Sequence, residues 1–313
     1  MTMIIINLAD DRVGPILMAM SNPIYAVAGV SGHTGSVVAD TLLAQGKAVR
    51  VIVRDAAKGE SWKARGAEVA VAVVEDAGAL TRALTGVAGA YLLLPPDMVS
   101  TTPIEDNAKR TQALATAVRA SKVPHVVFLS SFGAQHATGT GPIRSLHVAE
   151  QELAKTGTAL TALRAAYFQE NWGSSLGMLP QGVLPVFVPA DLTFPQVATK
   201  DIGRTAATAL VEGAPAPGTT QIIELSGPRD YSATDVAAAL TTITGATVNA
   251  QSAPLDAVVP TFTSFGISAA MAGLYREMYE GIINGTVAHE GGAARAQRGS
   301  VAIDATLRTL LGR

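Results

Sequence analysis

Three glycines at three-residue intervals, Gly29, Gly32 and Gly35, constrain this chain more than any other feature. Ahead of them runs Ile24-Tyr-Ala-Val-Ala28, short and apolar as a buried parallel strand should be. Behind them, residues 36–45 place Val37, Val38, Thr41 and Leu42 at helical spacing and stop at Gly46. A strand that turns through such a loop into a helix needs each glycine for a separate reason. One permits the tight turn, one lets the backbone approach a phosphate, and one lets the helix pack close on the sheet. The helix start then offers unpaired N–H groups and partial positive charge to a pyrophosphate. In a chain with 30 glycines the triplet alone would say little. Its setting between strand and helix makes the loop a dinucleotide cradle, with Gly29, Ser31, Gly32, His33, Thr34 and Gly35 as the expected contacts.

The strand–helix alternation continues. Strands are expected at 48–53, 68–74, 89–94 and 125–129, with helices at 79–84 and 103–120. The second strand ends at Arg54-Asp55, where the adenosine ribose of a dinucleotide would lie. An Arg there can fork onto a 2′-phosphate, whereas an acid would accept from a 2′-hydroxyl. Arg54 therefore favours NADP(H) over NAD(H); the alternative leaves Arg54 solvated and gives the ribose to Asp55. Asp76 follows the third strand at the adenine edge. Leu94 and Pro95 close the fourth, since Pro cannot extend a central strand and so marks the carboxyl end of the sheet beside the ligand crevice. Ser130 and Ser131 end the fifth, where hydroxyls that orient a cofactor occur.

Composition narrows the classes. Hydrophobic residues reach 48% and charged ones only 15%, which excludes a disordered chain. The net charge of −2 with scattered Lys and Arg leaves no footprint for nucleic acid. There is no Cys, hence no disulfide, thiolate metal site or Cys nucleophile, and the five His lie too far apart for a local metal motif. Mean hydropathy is +0.30, yet no apolar run approaches the roughly 20 residues of a membrane span. A cytoplasmic protein acting on a small molecule, without metal, as monomer or homodimer, is the expectation. Residues 1–21 read as an N-terminal extension with a natural start near Met20, the alternative being an added edge strand at 4–8.

Short-chain dehydrogenases carry a Tyr-x-x-x-Lys dyad after the fifth strand, and no Tyr here is followed by Lys four residues on. Instead the chain reads Leu146-His147-Val-Ala-Glu150-Gln-Glu-Leu153 and then Leu163-Arg164-Ala-Ala-Tyr167-Phe168-Gln-Glu170-Asn171-Trp172. With the glycine loop, Arg54, the Val126–Gly133 segment VVFLSSFG, Lys200-Asp201, Leu225-Ser-Gly-Pro228 and Gly281-Ile-Ile-Asn-Gly285, this resembles the NmrA-like group of atypical short-chain dehydrogenases. The resemblance implies a doubly wound parallel Rossmann sheet over 22–170 and a smaller, partly discontinuous C-terminal substrate-binding region over 171–313. It implies NAD(P) binding, and either quinone or dye reduction or a catalytically silent sensor. It also implies that Glu150 packs near the loop after the fifth strand. His147 could supply a proton near the nicotinamide; the other reading is a His at the core edge.

Beyond the sixth strand, Tyr167, Asn171, Trp172 and Phe265 are the substrate-side candidates, with Phe168 in the core. Residues 181–195 suggest a short hairpin. Thr199 is expected to cap a helix over 201–210, and Ser232 with Asp235 to form a capping box. Residues 261–283 hold Met271, Leu274, Tyr275 and Met278 at helical spacing, as a lid or dimer helix would. Two functions remain: an NADPH-dependent oxidoreductase passing hydride to a planar electrophile such as a quinone or dye, or an NADP(H) sensor acting through a protein partner. Nucleotide-sugar chemistry is disfavoured by the missing dyad.

Overall fold

The computed structural model describes residues 22–313, so the extension and edge strand expected within 1–21 lie outside the described residues. The amino-terminal half alternates as the apolar pattern requires. It runs β1 (Ile24–Ala28), α1 (His33–Ala44), β2 (Ala48–Val53), α2 (Glu60–Lys63), β3 (Glu68–Val71), α3 (Ala77–Leu84) and β4 (Gly89–Leu92). Then come α4 (Pro103–Ser121), β5 (His125–Ser131), α5 (Arg144–Ala154) and β6 (Ala159–Ala165).

The remainder begins with short β7 (Tyr167–Phe168), β8 (Val183–Val186) and β9 (Gln196–Val197), followed by α6 (Thr199–Glu212) and β10 (Thr220–Ser226). It closes with α7 (Ala233–Thr244), β11 (Asn249–Ser252), α8 (Val258–Ser264), α9 (Ala269–Asn284), β12 (Arg295–Arg298) and α10 (Ile303–Leu310).

Eight strands form one parallel sheet in the order β12-β10-β6-β5-β4-β1-β2-β3. The chain winds outward from β1 through β2 and β3, then crosses back to β4 and builds the other way. The switch between β1 and β4 opens the crevice at their carboxyl ends where such folds bind ligands. Alternate residues feed two dry layers. Val27, Val51, Tyr91, Val127 and Leu163 pack under α1 and α6, while Ala26, Leu92, Val126, Phe128 and Leu160 pack under α3, α4 and α5. Gly203 in α6 lets α6 press on α1, since a Cβ there would lie 2.5 Å from that of Val37. Among the described residues no helix is long and apolar enough to cross a membrane.

Several local expectations change. β3 stops at Val71 rather than 74, because the chain turns at Asp76, whose side chain accepts from the Ala79 N–H at 2.9 Å and starts α3 two residues early. Residues 181–195 form no hairpin: β8 pairs in parallel with the distant β11, and β9 with β7. Thr199 is not a cap but the first residue of α6; the carboxylate of Glu170 takes its N–H and hydroxyl instead. The sheet also draws β10 and β12 from beyond residue 170. The capping box of Ser232 and Asp235 is present. Trp172, Leu184, Tyr231, Leu240 and Leu307 make a smaller second core.

The His125 side chain, in a residue 2% exposed, has Thr161 Oγ1 at 2.9 Å as its hydrogen-bond partner among the described residues, and burial lowers its imidazole to about 4 from an ordinary 6.5. The folded pKa lies below the unfolded one, so the stability it permits is complete above pH 6.5 and is lost as pH falls toward 4. Wild type should lose about 2–3 kcal/mol more than His125→Gln between pH 7 and 4.5. Urea unfolding of both proteins at the two pH values checks this; parallel losses would overturn it.

Candidate active site

The glycine loop has the geometry its spacing calls for. Gly29 has φ +70°, and a side chain there would meet Leu93 Cδ2 at 2.6 Å. The Gly32 N–H closes the turn onto Gly29 O at 2.9 Å. A Cβ on Gly35 would lie 2.5 Å from Ala28 O and from the Gly29 carbonyl, so only glycine lets α1 start this close to β1. Among the described residues no side chain caps α1, and its first turn holds no acid. The N–H groups and dipole of a twelve-residue helix are thus left for an anion from outside. Ser31, Gly32 and His33 are exposed at the tip. Thr34 and Gly35 are buried, and the Thr34 hydroxyl accepts from the fully buried Tyr91 phenol at 2.9 Å, tying the loop to β4.

At the end of β2 Arg54 is exposed. No carboxylate among the described residues engages it, whereas Asp55, also exposed, caps the following turn by accepting from the Ala57 N–H at 3.0 Å. That disposition fits a dinucleotide with a 2′-phosphate better than a bare ribose. Asp76 is exposed but spends a carboxylate oxygen on α3. Leu94 and Pro95 are half-buried behind β4. Arg110 on α4 holds the loops after β3 and β4 together through Glu75 at 2.7 Å and Asp97 at 3.0 Å.

The two serines of β5 separate. Ser131 is half-buried at the strand end, while Ser130 is buried and donates to Glu150 Oε1 at 2.5 Å. In register, Ser130 lies beside Arg164 of β6, and Arg164 beside Glu224 of β10. Arg164 grips Glu150 through two bonds of 3.0 and 2.7 Å and reaches Glu290 at 2.5 Å. Burial works against its charge, but the two carboxylates outweigh that and raise its pKa. Glu224 in turn accepts from the backbone of Glu290 and Gly291, strapping the segment after α9 onto the sheet.

His147 sits inside the chain's own bonding. Nδ1 lies 2.8 Å from Ala134 O, so it carries the proton and donates, leaving Nε2 to accept from Gln151 Nε2 at 2.9 Å. Both ring nitrogens thus have partners within the chain.

The segment after β6 is split between scaffold and crevice. Gln169 bridges to Val301 O and Thr306, Glu170 holds α6, and Trp172 is 5% exposed with its N–H on Gln196 Oε1 at 2.8 Å. Trp172 therefore belongs to the second core rather than to a stacking platform, and Asn171 is exposed beside it. Phe265 is 76% exposed on the turn between α8 and α9. Tyr167, two residues beyond the end of β6, packs edge-on to Trp172 (6.4 Å) and Phe194 (5.5 Å). Burial pushes its phenol up to about 12.

α9 supplies Tyr275 and Tyr279 to a ring cluster with Phe187 and Phe262, at centroid distances of 5.2–6.4 Å. Its start is pinned by Ser268, whose N–H and hydroxyl reach Met98 O and Ser100 O. It is an amphipathic helix tied at its start to the loop after β4. A groove of about 550 Å³ lies outside these rings along Phe187, Pro189, Pro254 and Ile283, and none of the expected site residues lines it. Among the described residues no cluster of His, Asp or Glu could hold a metal.

Sheet order, glycine loop and open helix start define a Rossmann protein of the dinucleotide type that lacks the short-chain dyad. The NmrA-like family model matches residues 22–290, and the chain belongs to that family. It is 26% identical to an NAD(P)H azoreductase of Xenophilus azovorans over 81% of this chain and 85% of that protein. It is 27% identical to quinone oxidoreductase 2 of Escherichia coli over 83% and 88%. In fold it resembles an NADPH-dependent quinone oxidoreductase from Escherichia coli, with TM-score 0.74, 23% identity and coverage of 92% and 99%. It also resembles a Citrobacter triphenylmethane reductase, with TM-score 0.75, 18% identity and coverage of 93% and 100%.

Proposed function

We propose that this protein is an NADPH-dependent reductase of small planar electrophiles. The observation that carries the reading is Arg54, exposed at the end of β2 with no carboxylate partner among the described residues, while Asp55 is spent on the next turn. The two relatives that are an azoreductase and a quinone oxidoreductase support the same reaction class. The bound dinucleotide would supply a hydride. The chain's own part is to hold the pyrophosphate on the α1 N-terminus and the 2′-phosphate on Arg54. A flat acceptor would lie against the rings of Tyr167 and α9, with bulk water excluded by that helix. A conjugated acceptor spreads the incoming charge, so the reaction can proceed without the short-chain dyad.

Arg54→Ala should weaken NADPH by roughly 10- to 100-fold, the loss of one charge-assisted contact, with NADH changed less than threefold. Calorimetric titration with each dinucleotide, alongside NADPH oxidation against quinones and dyes, checks both halves. Equal weakening would remove Arg54 from the 2′-phosphate. Tight NADPH binding without turnover on any acceptor would replace the reductase by a sensor.

A further inference from the structure

The groove of about 550 Å³ beside α9 has its origin in the sequence. β8 and β11 run parallel, with Val186 opposite Ser252, and both chains leave the pair at that end. Pro189 and Pro254 follow within three residues and lack the N–H that further pairing needs, so the two segments part instead of extending the ladder. Ile283, in the last turn of α9, adds a third side and is 37% exposed. The lining is apolar apart from Asp191 and Ser252, and the Ser252 hydroxyl is spent on Val188 O at 3.0 Å. A ligand's hydrocarbon that covered this surface would gain the free energy of taking both out of water.

What covers the groove follows from what it adjoins. Phe187 lines it, and the Phe187 ring meets Tyr279 at 5.6 Å and Phe262 at 5.9 Å. Tyr275, Tyr279 and Ile283 succeed one another at four-residue steps and so share one side of α9. At the far end of that stripe the Tyr275 hydroxyl lies 3.8 Å from Met98 Sδ, in the loop after β4. One side of the helix thus runs from the rim of the crevice, past the rings, to the groove. From Tyr275 to Ile283 it covers about 12 Å at 1.5 Å per residue.

Resting on the reductase reading, we infer that the preferred acceptor is a planar ring carrying a neutral apolar tail, with the ring against Tyr275 and Tyr279 and the tail along Phe187 and Ile283 in the groove. Asp191 decides the charge of that tail. It is exposed where it lines the groove, and no Lys or Arg pairs with it among the described residues, so a tail ending in a carboxylate is repelled.

The test compares two benzoquinones with the same ring, one bearing a methyl group and one a decyl chain, in the full chain with NADPH. In wild type the KM of the decyl quinone should be about 30-fold lower, a modest part of the gain from complete burial because a groove leaves one side of the tail wet. Ile283→Asp should bring the two KM values within about threefold of each other. Pro254→Asp should do the same, at an exposed position before the short turn Leu255–Ala257 where Asp is a favoured cap. Calorimetric titration gives a readout without turnover. Octan-1-ol should bind wild type about 10-fold more tightly than octanoate does, and more tightly than it binds Ile283→Asp. Equal KM values in wild type, or a decyl advantage that survives both substitutions, would overturn the assignment and leave the reductase reading intact. Equal values together with a dimer that Ile283→Asp splits, seen by light scattering, would give the groove to a second copy of the chain instead. Wild type that reduces neither quinone removes the reductase reading, and the acceptor's tail with it. If Ile283→Asp does not fold, Pro254→Asp decides alone.

Discussion

Arg164→Met should cost about 3–5 kcal/mol of stability, the penalty for stranding buried charges whose partner has been removed. The side chain is 6% exposed at the end of a central strand and holds two carboxylates, Glu150 at 10% and Glu290 at 47% exposure. Methionine fills the volume but leaves the buried Glu150 carboxylate with Ser130 as its remaining side-chain partner among the described residues. The Glu290 contribution is smaller, because solvent reaches that carboxylate. The melting temperature should fall by roughly 5–15 °C. The double variant Glu150→Leu with Arg164→Met should recover most of the loss, since an apolar pair of similar volume carries no stranded charge. Thermal unfolding of the three proteins decides it. A single-variant drop under about 2 °C would mean the triad contributes little beyond packing.

This network marks where the sequence stops being legible. β1, the glycine loop, α1 and Arg54 could be read because each rests on neighbours within a dozen residues: apolar spacing, turn chemistry, a strand end. Arg164 could be seen only as a residue closing the sixth strand. Its partners stand 14 and 126 residues away and become neighbours only once the sheet has ordered β5, β6 and β10. Trp172 misled for the same reason. An aromatic near the expected crevice looks like a platform until Gln196, 24 residues on, turns its N–H into the second core. The stretch 181–195 carries the alternation of a hairpin, but its hydrogen bonds go to β7 and β11, which no local pattern foretells.

The other large effect is on the ligand. Gly35→Ala should weaken NADPH binding by at least about 100-fold and cost roughly 1–3 kcal/mol of stability, the range for overpacking a closed contact. The added methyl would lie 2.5 Å from Ala28 O and from both carbonyl atoms of Gly29. These are backbone atoms, so no side chain can rotate away and α1 itself must retreat from β1. Retreat is resisted from behind. Gly203 brings α6 so near that its Cβ position lies 2.8 Å from Thr34 O, and Thr34 is tied to Tyr91 in β4. The helix start therefore tilts rather than slides. Its open N–H groups then lose their common aim at the pyrophosphate, which is where a helix dipole acts most strongly. Gly177→Ala is the matched control, because nothing stands within 4 Å of the added carbon and its φ is ordinary. Calorimetric NADPH titration and thermal unfolding of both variants check the prediction. Gly35→Ala protein that keeps NADPH affinity within about threefold would mean that the α1 N-terminus is not where the phosphates bind.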